Sequence, residues 1–254
     1  ALDALTTPPP VAKTVSVTVP EGRSRQETLP IIRDSGLRGD YLKATTSHEG
    51  FSPSKLYGAP KDLGSLEGFL FPATYELRKN ANVRTLVGKQ LDAFRENFAT
   101  VDLTAAKRKK LTAYEVLIIA SMIEREAALD RERSLISAVI HNRLEQGIPL
   151  GIDATIRFRL NQWSEPLKVS ELNIDSDYNT RTRQGLPPGP IGNPGIKSLR
   201  AAARPARSNA IYYVVKPCGN GAHAFSDTDA EFQRDVAAYN KARDARGGKD
   251  PSTC

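Results

Sequence analysis

Two acidic residues at the end of an apolar segment are the residues of this chain best suited to chemistry. The segment LIIASMIEREA, residues 117–127, places Glu124 and Glu126 after a run of apolar side chains with helical spacing. A two-residue step along a helix turns the side chain by roughly 200°, so the two carboxylates lie on different faces and cannot form one dyad. Glu126 shares its face with the bulky apolar residues Met122 and Ile123.

A carboxyl group beside large apolar side chains loses hydration, which disfavours its charged form and raises its pKa. A glutamic acid that is still protonated near neutral pH can donate a proton to a leaving group, so Glu126 is the candidate general acid. The alternative is that both glutamates are solvated at the helix end and pair with Arg125, Arg131 or Arg133, as most charged residues near helix ends do.

Three later segments carry polar side chains that could line a cleft around this acid. They read HNRLEQGIPLGIDATI, YNTRTRQGLPPGPIGNPG and GAHAFSDT. Hydrogen-bonding groups suited to the hydroxyl and amide groups of a sugar are found at Asn142, Arg143, Asp153, Thr155, Tyr178, Asn179 and Thr180. Taken one at a time, each of these residues is more typical of a helix cap, a tight turn or a surface loop than of a binding site.

The elements that must position these residues follow from the periodicity of the chain. Alternating valines in KTVSVTVP predict a strand at 13–20, and Ser24 predicts the start of a short helix that closes at Gly36. Further predicted elements are a strand and turn around Pro72, helices over 83–98 and 111–146, and a Gly- and Pro-dense loop over 179–205. The last are a strand in AIYYVVK, a turn or short strand in HAFSDT, and a helix over 229–245.

Composition limits the class of protein. A chain of 254 residues is long enough for one large domain or two modest ones with a real core. The sequence predicts neither a membrane span nor an intact signal peptide, and its opening ALDALTTPPPVAK is typical of an extended tether. The net charge of +7 favours acidic partners such as nucleic acid, anionic lipid headgroups or anionic wall polymers. Nucleic acid is not expected, because the basic residues are interspersed with acidic ones.

Cysteine and histidine usage predicts neither a metal site nor a cofactor. The two cysteines, Cys218 and Cys254, have no CxxC spacing, and the three histidines are scattered. A disulfide between Cys218 and Cys254 is expected in an oxidising compartment, and two unrelated free thiols are the alternative.

Several blocks of the sequence resemble a known family. In chain order they are LEGFLFPATYEL, ASMIEREA, VIHNRLEQGIPLGIDATI, YNTRTRQGLPPGPIGNPGIKSLRAAARPA and YYVVK followed by GAHAFSDT. This series, over about 14–239, is similar to the YceG-like family, the endolytic murein transglycosylases known as MltG. The resemblance implies an α+β fold with a linker at 1–13, a small LysM-like subdomain at 14–85 and a larger mixed α/β catalytic domain at 86–254.

The resemblance also implies a location and partners. It predicts an extracytoplasmic protein that is held at the cell membrane by an N-terminal anchor absent from this chain. Peptidoglycan glycan strands are the implied substrate, and peptidoglycan synthases are candidate partners. The second glutamate of the family's EKET block aligns with Glu126, whereas Ala127 stands where the family often carries a hydroxyl residue.

The implied chemistry is lytic cleavage between N-acetylmuramic acid and N-acetylglucosamine, with Glu126 acting as acid and then as base. Glu124 and the polar residues of the three segments are the expected substrate-binding residues. The competing hypothesis is a noncatalytic peptidoglycan-binding scaffold in which the glutamates have structural roles.

Overall fold

The structure is a computed structural model that describes residues 13–253, so Cys254 and all but the last residue of the predicted linker lie outside the described residues. Short strands alternate with helices, which confirms the predicted α+β class. The strands are β1 (Thr14–Thr18), β2 (Thr74–Arg78), β3 (Tyr212–Val215) and β4 (His223–Ser226). The helices are α1 (Arg25–Asp34), α2 (Tyr41–Ala44), α3 (Pro53–Tyr57), α4 (Val83–Ala99), α5 (Thr104–Arg108), α6 (Ala113–Glu126), α7 (Arg133–Glu145), α8 (Asp153–Leu160), α9 (Val169–Leu172), α10 (Ile196–Ala203) and α11 (Asp229–Ala245).

The first sheet pairs β1 with β2 in antiparallel register, with Val15 opposite Leu77 and Val17 opposite Tyr75. Val17, Tyr75 and Leu77 are buried, because alternate side chains of a strand point to the same face. The strand predicted at 13–20 is confirmed. The strand predicted around Pro72 is confirmed from Thr74 onward.

Helix α1 begins with a reciprocal cap. The Ser24 hydroxyl accepts from the Glu27 backbone N–H at 3.2 Å, and the Glu27 carboxylate accepts from the Ser24 backbone N–H at 3.0 Å. This arrangement satisfies two backbone donors that the first turn leaves free, and it confirms the predicted cap. The helix ends at Asp34, two residues before Gly36.

Helix α6 lies at the centre of the molecule. Every residue from Val116 to Ile123 is buried, so the helix is covered on all sides. It packs against α7 and α10, and the stacked rings of Phe69 and Tyr114, 6.0 Å apart, extend the core toward the N-terminal half. Within residues 13–253 no helix is both long enough and apolar enough to cross a membrane.

The apolar core continues across the predicted domain border. The border between 85 and 86 falls inside α4, and Val83, Val87 and Leu117 of α6 belong to the same cluster of buried side chains. The division of the chain into 14–85 and 86–254 stays a prediction.

The segment 179–205 differs from its prediction as a loop. Gly195 is the N-cap of α10, and Ala202 and Ala203 of that helix are fully buried. Small side chains allow α10 to approach α6 closely. The loop prediction is wrong for Ile196–Ala203 because this stretch holds neither Gly nor Pro and is rich in good helix formers, which the composition of the whole segment conceals.

The second sheet pairs β3 with β4, with Tyr213 opposite Phe225 and Val215 opposite His223. Helix α11 covers this hairpin, and its Phe232 ring stacks on Tyr212 at 4.7 Å. The strand predicted in AIYYVVK and the terminal helix are confirmed, and of the two alternatives for HAFSDT the structure has the short strand.

Cys218 is disulfide-bonded, so the alternative of free thiols is wrong for this residue. Cys254 is the only other cysteine of the sequence and lies outside the described residues. The C-terminal segment runs beside Cys218, whose backbone N–H donates to Pro251 O at 2.8 Å, and the Asn220 N–H donates to Ser252 O at 2.8 Å. These hydrogen bonds agree with the predicted Cys218–Cys254 pairing.

Candidate active site

Glu126 is the last residue of α6. The helix begins with a capping box, in which the Thr112 hydroxyl accepts from the Glu115 N–H at 3.1 Å and the Glu115 carboxylate accepts from the Thr112 N–H at 2.7 Å. It ends because Ala127 adopts extended backbone angles. The buried helix therefore presents the Glu126 carboxyl group at a fixed position where the core meets a cleft.

Tyr213 of β3 holds this carboxyl group. Its hydroxyl donates to Glu126 Oε2 at 2.9 Å, although the two residues are 87 positions apart. Burial raises the pKa of the Tyr213 phenol, and the nearby negative charge of Glu126 raises it further. Tyr213 therefore keeps its proton and remains a hydrogen-bond donor to the carboxylate.

A buried histidine–glutamate contact supports Tyr213 from the neighbouring strand. The imidazole of His223 meets the Tyr213 ring edge-on, with centroids 5.3 Å apart. Its Nδ1 lies 2.9 Å from Glu132 Oε2, and both side chains are buried. The Glu132 carboxylate also accepts from the His223 backbone N–H at 3.1 Å. Through His223 and Glu132, the β3–β4 hairpin is thus hydrogen-bonded to the start of α7.

The cleft has a volume of about 590 Å³. The Arg143 guanidinium forms part of its wall by donating to Leu150 O at 2.8 Å and to Ile211 O at 2.5 Å. Asp153 stands at the N-terminus of α8 and pairs with Arg181 at 2.9 Å. The cleft is lined by Glu126, Arg143, Pro149, Leu150, Gly151, Asp153, Asn173, Arg181, Thr182, Tyr213 and Phe232.

The surroundings of Glu126 favour its protonated form. Burial raises the pKa of this carboxyl group above its usual value, and the negative charge of Asp153 adds to the rise. The hydrogen bond from Tyr213 and the positive field of His223 act in the opposite direction. The net effect is a raised pKa, which is the condition expected of a general acid.

Three of the predicted site residues meet in the cleft, namely Glu126, Arg143 and Asp153. Glu124 does not line it. Its carboxylate pairs with Arg133 at 2.9 Å and accepts from the Gly195 N–H at 2.9 Å. Pairing of Glu124 with an arginine was the alternative that the sequence left open, although the pair is largely buried rather than solvated. It connects α6 to α7 and to the start of α10.

Thr155, Asn179 and Thr180 are buried and bind neighbouring protein groups. Asn179 Nδ2 donates to Leu172 O and Ile174 O at 3.1 and 2.9 Å. The hydroxyls of Thr155 and Thr180 lie 3.1 Å apart, and Thr180 Oγ1 accepts from the backbone N–H just before Asp153 at 3.0 Å. These side chains therefore stabilise the backbone next to Asp153 and do not line the cleft themselves.

Tyr178 and Asn142 also lie outside the cleft lining. The Tyr178 ring packs against Phe158 with centroids 5.2 Å apart. Asn142 Nδ2 donates to Ser208 O and Ala210 O, both at 2.9 Å, and lines a different cavity.

The polar and aromatic residues of the cleft that sequence reasoning missed are Asn173, Arg181, Thr182, Tyr213 and Phe232. The run of aromatic and β-branched residues in AIYYVVK predicts the strand that carries Tyr213 but does not say which element the strand faces. Arg181 and Thr182 directly follow a predicted residue, and the turn of the backbone there brings them, rather than Thr180, to the cleft surface.

Comparison with known families identifies the chain. The sequence model of the YceG-like family matches residues 1–238. The chain belongs to the YceG-like family. The resemblance predicted from the sequence blocks is confirmed.

Relatives of this YceG-like chain include two proteins named endolytic murein transglycosylase. The one from Streptococcus pneumoniae is 28% identical over 248 residues, covering 88% of this chain and 44% of the relative. The one from Bacillus subtilis is 31% identical over 183 residues, covering 70% of this chain and 47% of the relative. The chain thus spans less than half the length of these relatives.

The fold is also similar to a crystal structure of a YceG-like protein from Listeria monocytogenes. The two chains are 27% identical and superpose with a TM-score of 0.74. The match covers 86% of this chain and 74% of the other. The α+β arrangement described above is therefore shared with a YceG-like protein of known structure.

Proposed function

We propose that this chain is the catalytic part of an endolytic murein transglycosylase, which cleaves the bond between N-acetylmuramic acid and N-acetylglucosamine within peptidoglycan glycan strands. The observation that carries the proposal is the position of Glu126, partly buried at the edge of a cleft and hydrogen-bonded to Tyr213. Its raised pKa supports a role as a proton donor. The names of the two relatives support the substrate class.

The first step is protonation of the glycosidic oxygen. The proton moves from the Glu126 carboxyl group to the leaving oxygen as the bond to the muramic acid C1 breaks, and positive charge develops at C1. Glu126 is then a carboxylate that accepts a hydrogen bond from Tyr213. The hydrogen bond is stronger to the charged form, so Tyr213 stabilises Glu126 after the proton has left.

The second step returns the proton. The Glu126 carboxylate accepts the proton of the muramic acid's own C6 hydroxyl, whose oxygen attacks C1 and closes an anhydro ring. No water is consumed, and Glu126 ends the cycle protonated. One carboxyl group is sufficient because the nucleophile belongs to the substrate.

Arg143 and Asp153 have positioning roles in this proposal. Arg143 fixes the backbone of the wall through its bonds to Leu150 and Ile211. The Asp153 carboxylate raises the pKa of Glu126 and, near C1, favours the developing positive charge. A hydrolase would instead use Asp153 to activate water, and its products would carry reducing ends.

We infer the context of the whole protein from the family. Residues 14–85 form a LysM-like unit that holds glycan, and the net charge of +7 supports contact with an anionic wall. The protein works outside the cytoplasm, anchored to the membrane through a segment N-terminal to this chain, and peptidoglycan synthases are its candidate partners.

The test of the cleavage proposal is Glu126→Gln. We expect cleavage to fall by at least about 10²-fold, because an amide cannot act as the acid. Purified glycan strands are digested, and products are identified by mass spectrometry as anhydro or reducing ends.

Glu124→Gln is the neighbouring control. It weakens the pair with Arg133, so we expect lower thermal stability but much smaller loss of cleavage by the folded fraction. The reverse order of activities would mean that Glu126 is not the acid. Binding of strands by the unsubstituted protein without any shortening would support the scaffold hypothesis and reject the enzyme.

A further inference from the structure

A second cavity, of about 850 Å³, is lined in part by Asn142 and shares no lining residue with the cleft that holds Glu126. It is formed by the end of α5, by α7 and by the segment 204–209 that follows α10. Four cationic side chains line it, and its lining contains no acidic residue. They are Arg108, Lys109, Arg204 and Arg207.

The three arginines are not held by direct bonds to described protein groups. Arg108, Arg204 and Arg207 are exposed, and within residues 13–253 their side chains form no ion pair and no hydrogen bond. Lys109 alone is paired, with Glu145. Like charges gathered in one recess repel each other, so an anion in this cavity would remove an unfavourable interaction.

Two of these arginines lie close enough to act on one carboxylate. Hydrogen bonds from Thr104 lower the pKa of the exposed Asp102, and Arg204 and Arg108 lower it further. Arg108 and Arg204 thus both lie near Asp102, and both line the cavity. Asp102 itself is engaged by the Thr104 backbone N–H at 2.9 Å and is not part of the lining.

The segment that carries Arg204 and Arg207 is held in place. The Ala206 N–H donates to Ser134 O at 2.9 Å, and Asn142 Nδ2 donates to Ser208 O and Ala210 O at 2.9 Å. A wall whose backbone is already fixed loses little entropy when a ligand binds.

The number of unpaired arginines favours one class of anion. A carboxylate offers one charge and two oxygens, which a single guanidinium satisfies. A phosphate monoester offers nearly two charges at pH 7 and three acceptor oxygens, so it can be shared by three arginines. Because these arginines line a recess, they can contact a phosphate group that projects into it. Contact with a flat bilayer surface would instead require side chains that protrude from the protein.

We propose that this cavity is a binding site for a phosphate monoester, with Arg108, Arg204 and Arg207 as the residues that contact the phosphate oxygens. The site makes no use of Glu126 and is independent of the cleavage proposed above.

The test is titration of the protein with glycerol 3-phosphate, followed by calorimetry. We expect saturable binding that weakens by at least about tenfold in Arg204→Ala/Arg207→Ala, since each substitution removes charge-assisted hydrogen bonds. Arg207→Lys keeps the charge and loses the two-pronged geometry, so it should bind with an intermediate affinity. Circular dichroism checks that each variant is folded.

Arg234→Ala/Arg243→Ala is the matched control, because both residues are exposed on α11, far along the chain from the cavity, and the change in net charge is the same. We expect this pair to bind like the unsubstituted protein. Equal weakening in the control pair would reveal general charge attraction and overturn the site. Equal affinity for glycerophosphoglycerol would overturn the assignment to a monoester. Binding only to vesicles that contain phosphatidic acid, with no binding of soluble glycerol 3-phosphate, would overturn the proposal in favour of a lipid surface.

Discussion

The proton affinity of Glu126 is set by neighbours that act in opposite directions. Burial and the Asp153 carboxylate raise its pKa, while the Tyr213 hydroxyl and His223 lower it. In the proposed mechanism this residue is an acid in one step and a base in the next, which requires that neither form is strongly favoured. Neighbours that raise the pKa of Glu126 and neighbours that lower it together meet that requirement.

Tyr213→Phe and Asp153→Asn are expected to shift the pH dependence of cleavage in opposite directions. A general acid works only while protonated, so activity falls as the pH rises through its pKa. Removing the Tyr213 hydroxyl removes an effect that lowers this pKa, so the alkaline limb moves up by about 0.5–1 pH unit while kcat decreases. Removing the Asp153 charge lowers the pKa, so the same limb moves down.

Tyr212→Phe is the matched control for the tyrosine. Tyr212 is its neighbour on β3 and stacks on Phe232, a contact that phenylalanine preserves. Its pH profile should be that of the unsubstituted protein. Shifts of the limb in the same direction for Tyr213→Phe and Asp153→Asn would contradict the roles assigned to them.

At the scale of elements, the approach of the loop 186–190 to α6 depends on one glycine. Gly68 has a φ of +86°, and a Cβ atom there would lie 2.5 Å from Pro190 Cγ and 3.2 Å from Leu117 Cδ2. Only glycine adopts this backbone conformation readily, and only glycine leaves room for the proline ring. The contact joins the N-terminal half to the helix that carries Glu126.

Gly68→Ala is therefore expected to reduce the free energy of unfolding by at least about 2 kcal/mol, from strain and overpacking together. Denaturant unfolding measures the change. Gly64→Ala is the matched control, because a Cβ atom at that position meets nothing within 4 Å and its φ is not in the left-handed region. Equal loss in both variants would mean that the contact with Pro190 is unimportant.

At the scale of the whole molecule, a buried carboxyl group joins the two halves of the chain. Glu67 accepts from the Arg25 backbone N–H at 3.0 Å and from Asn193 Nδ2 at 2.9 Å. Burial raises the pKa of Glu67 to about 7, against the hydrogen bond from Arg25, which lowers it. The halves are thus linked through a group that changes charge near neutral pH.

We expect this group to make the protein less stable as the pH rises. The folded-state pKa of Glu67 lies above its unfolded value of 4.5, so its contribution is fully present below pH 4.5 and is lost as the pH rises through 7. The loss is on the order of 3 kcal/mol. Glu67→Gln should flatten the decrease in unfolding free energy between pH 5 and 8, whereas Glu49→Gln, at an exposed position, should not. Parallel pH curves for the protein and Glu67→Gln would contradict this assignment.

The local pattern of the sequence determined most of the elements and the choice of Glu126. A capping residue such as Ser24 acts on the backbone within a few positions, and so does the alternation or helical spacing of apolar residues. A strand, the start of a helix and the bulkier face of α6 can therefore be predicted without knowledge of tertiary contacts. The polar side chains of three later segments indicated the cleft, and the family resemblance placed those segments in one series.

The tertiary structure alone decided which side chains meet. Tyr213 reaches Glu126 from 87 residues away, and Asn179 and Thr180 turn into the protein although their polar types suited the cleft. The physical reason is that periodicity reports whether a side chain is covered, whereas the packing of one element on another determines what covers it. The sequence thus singled out Glu126 as the candidate acid, and the fold places the Tyr213 hydroxyl against it.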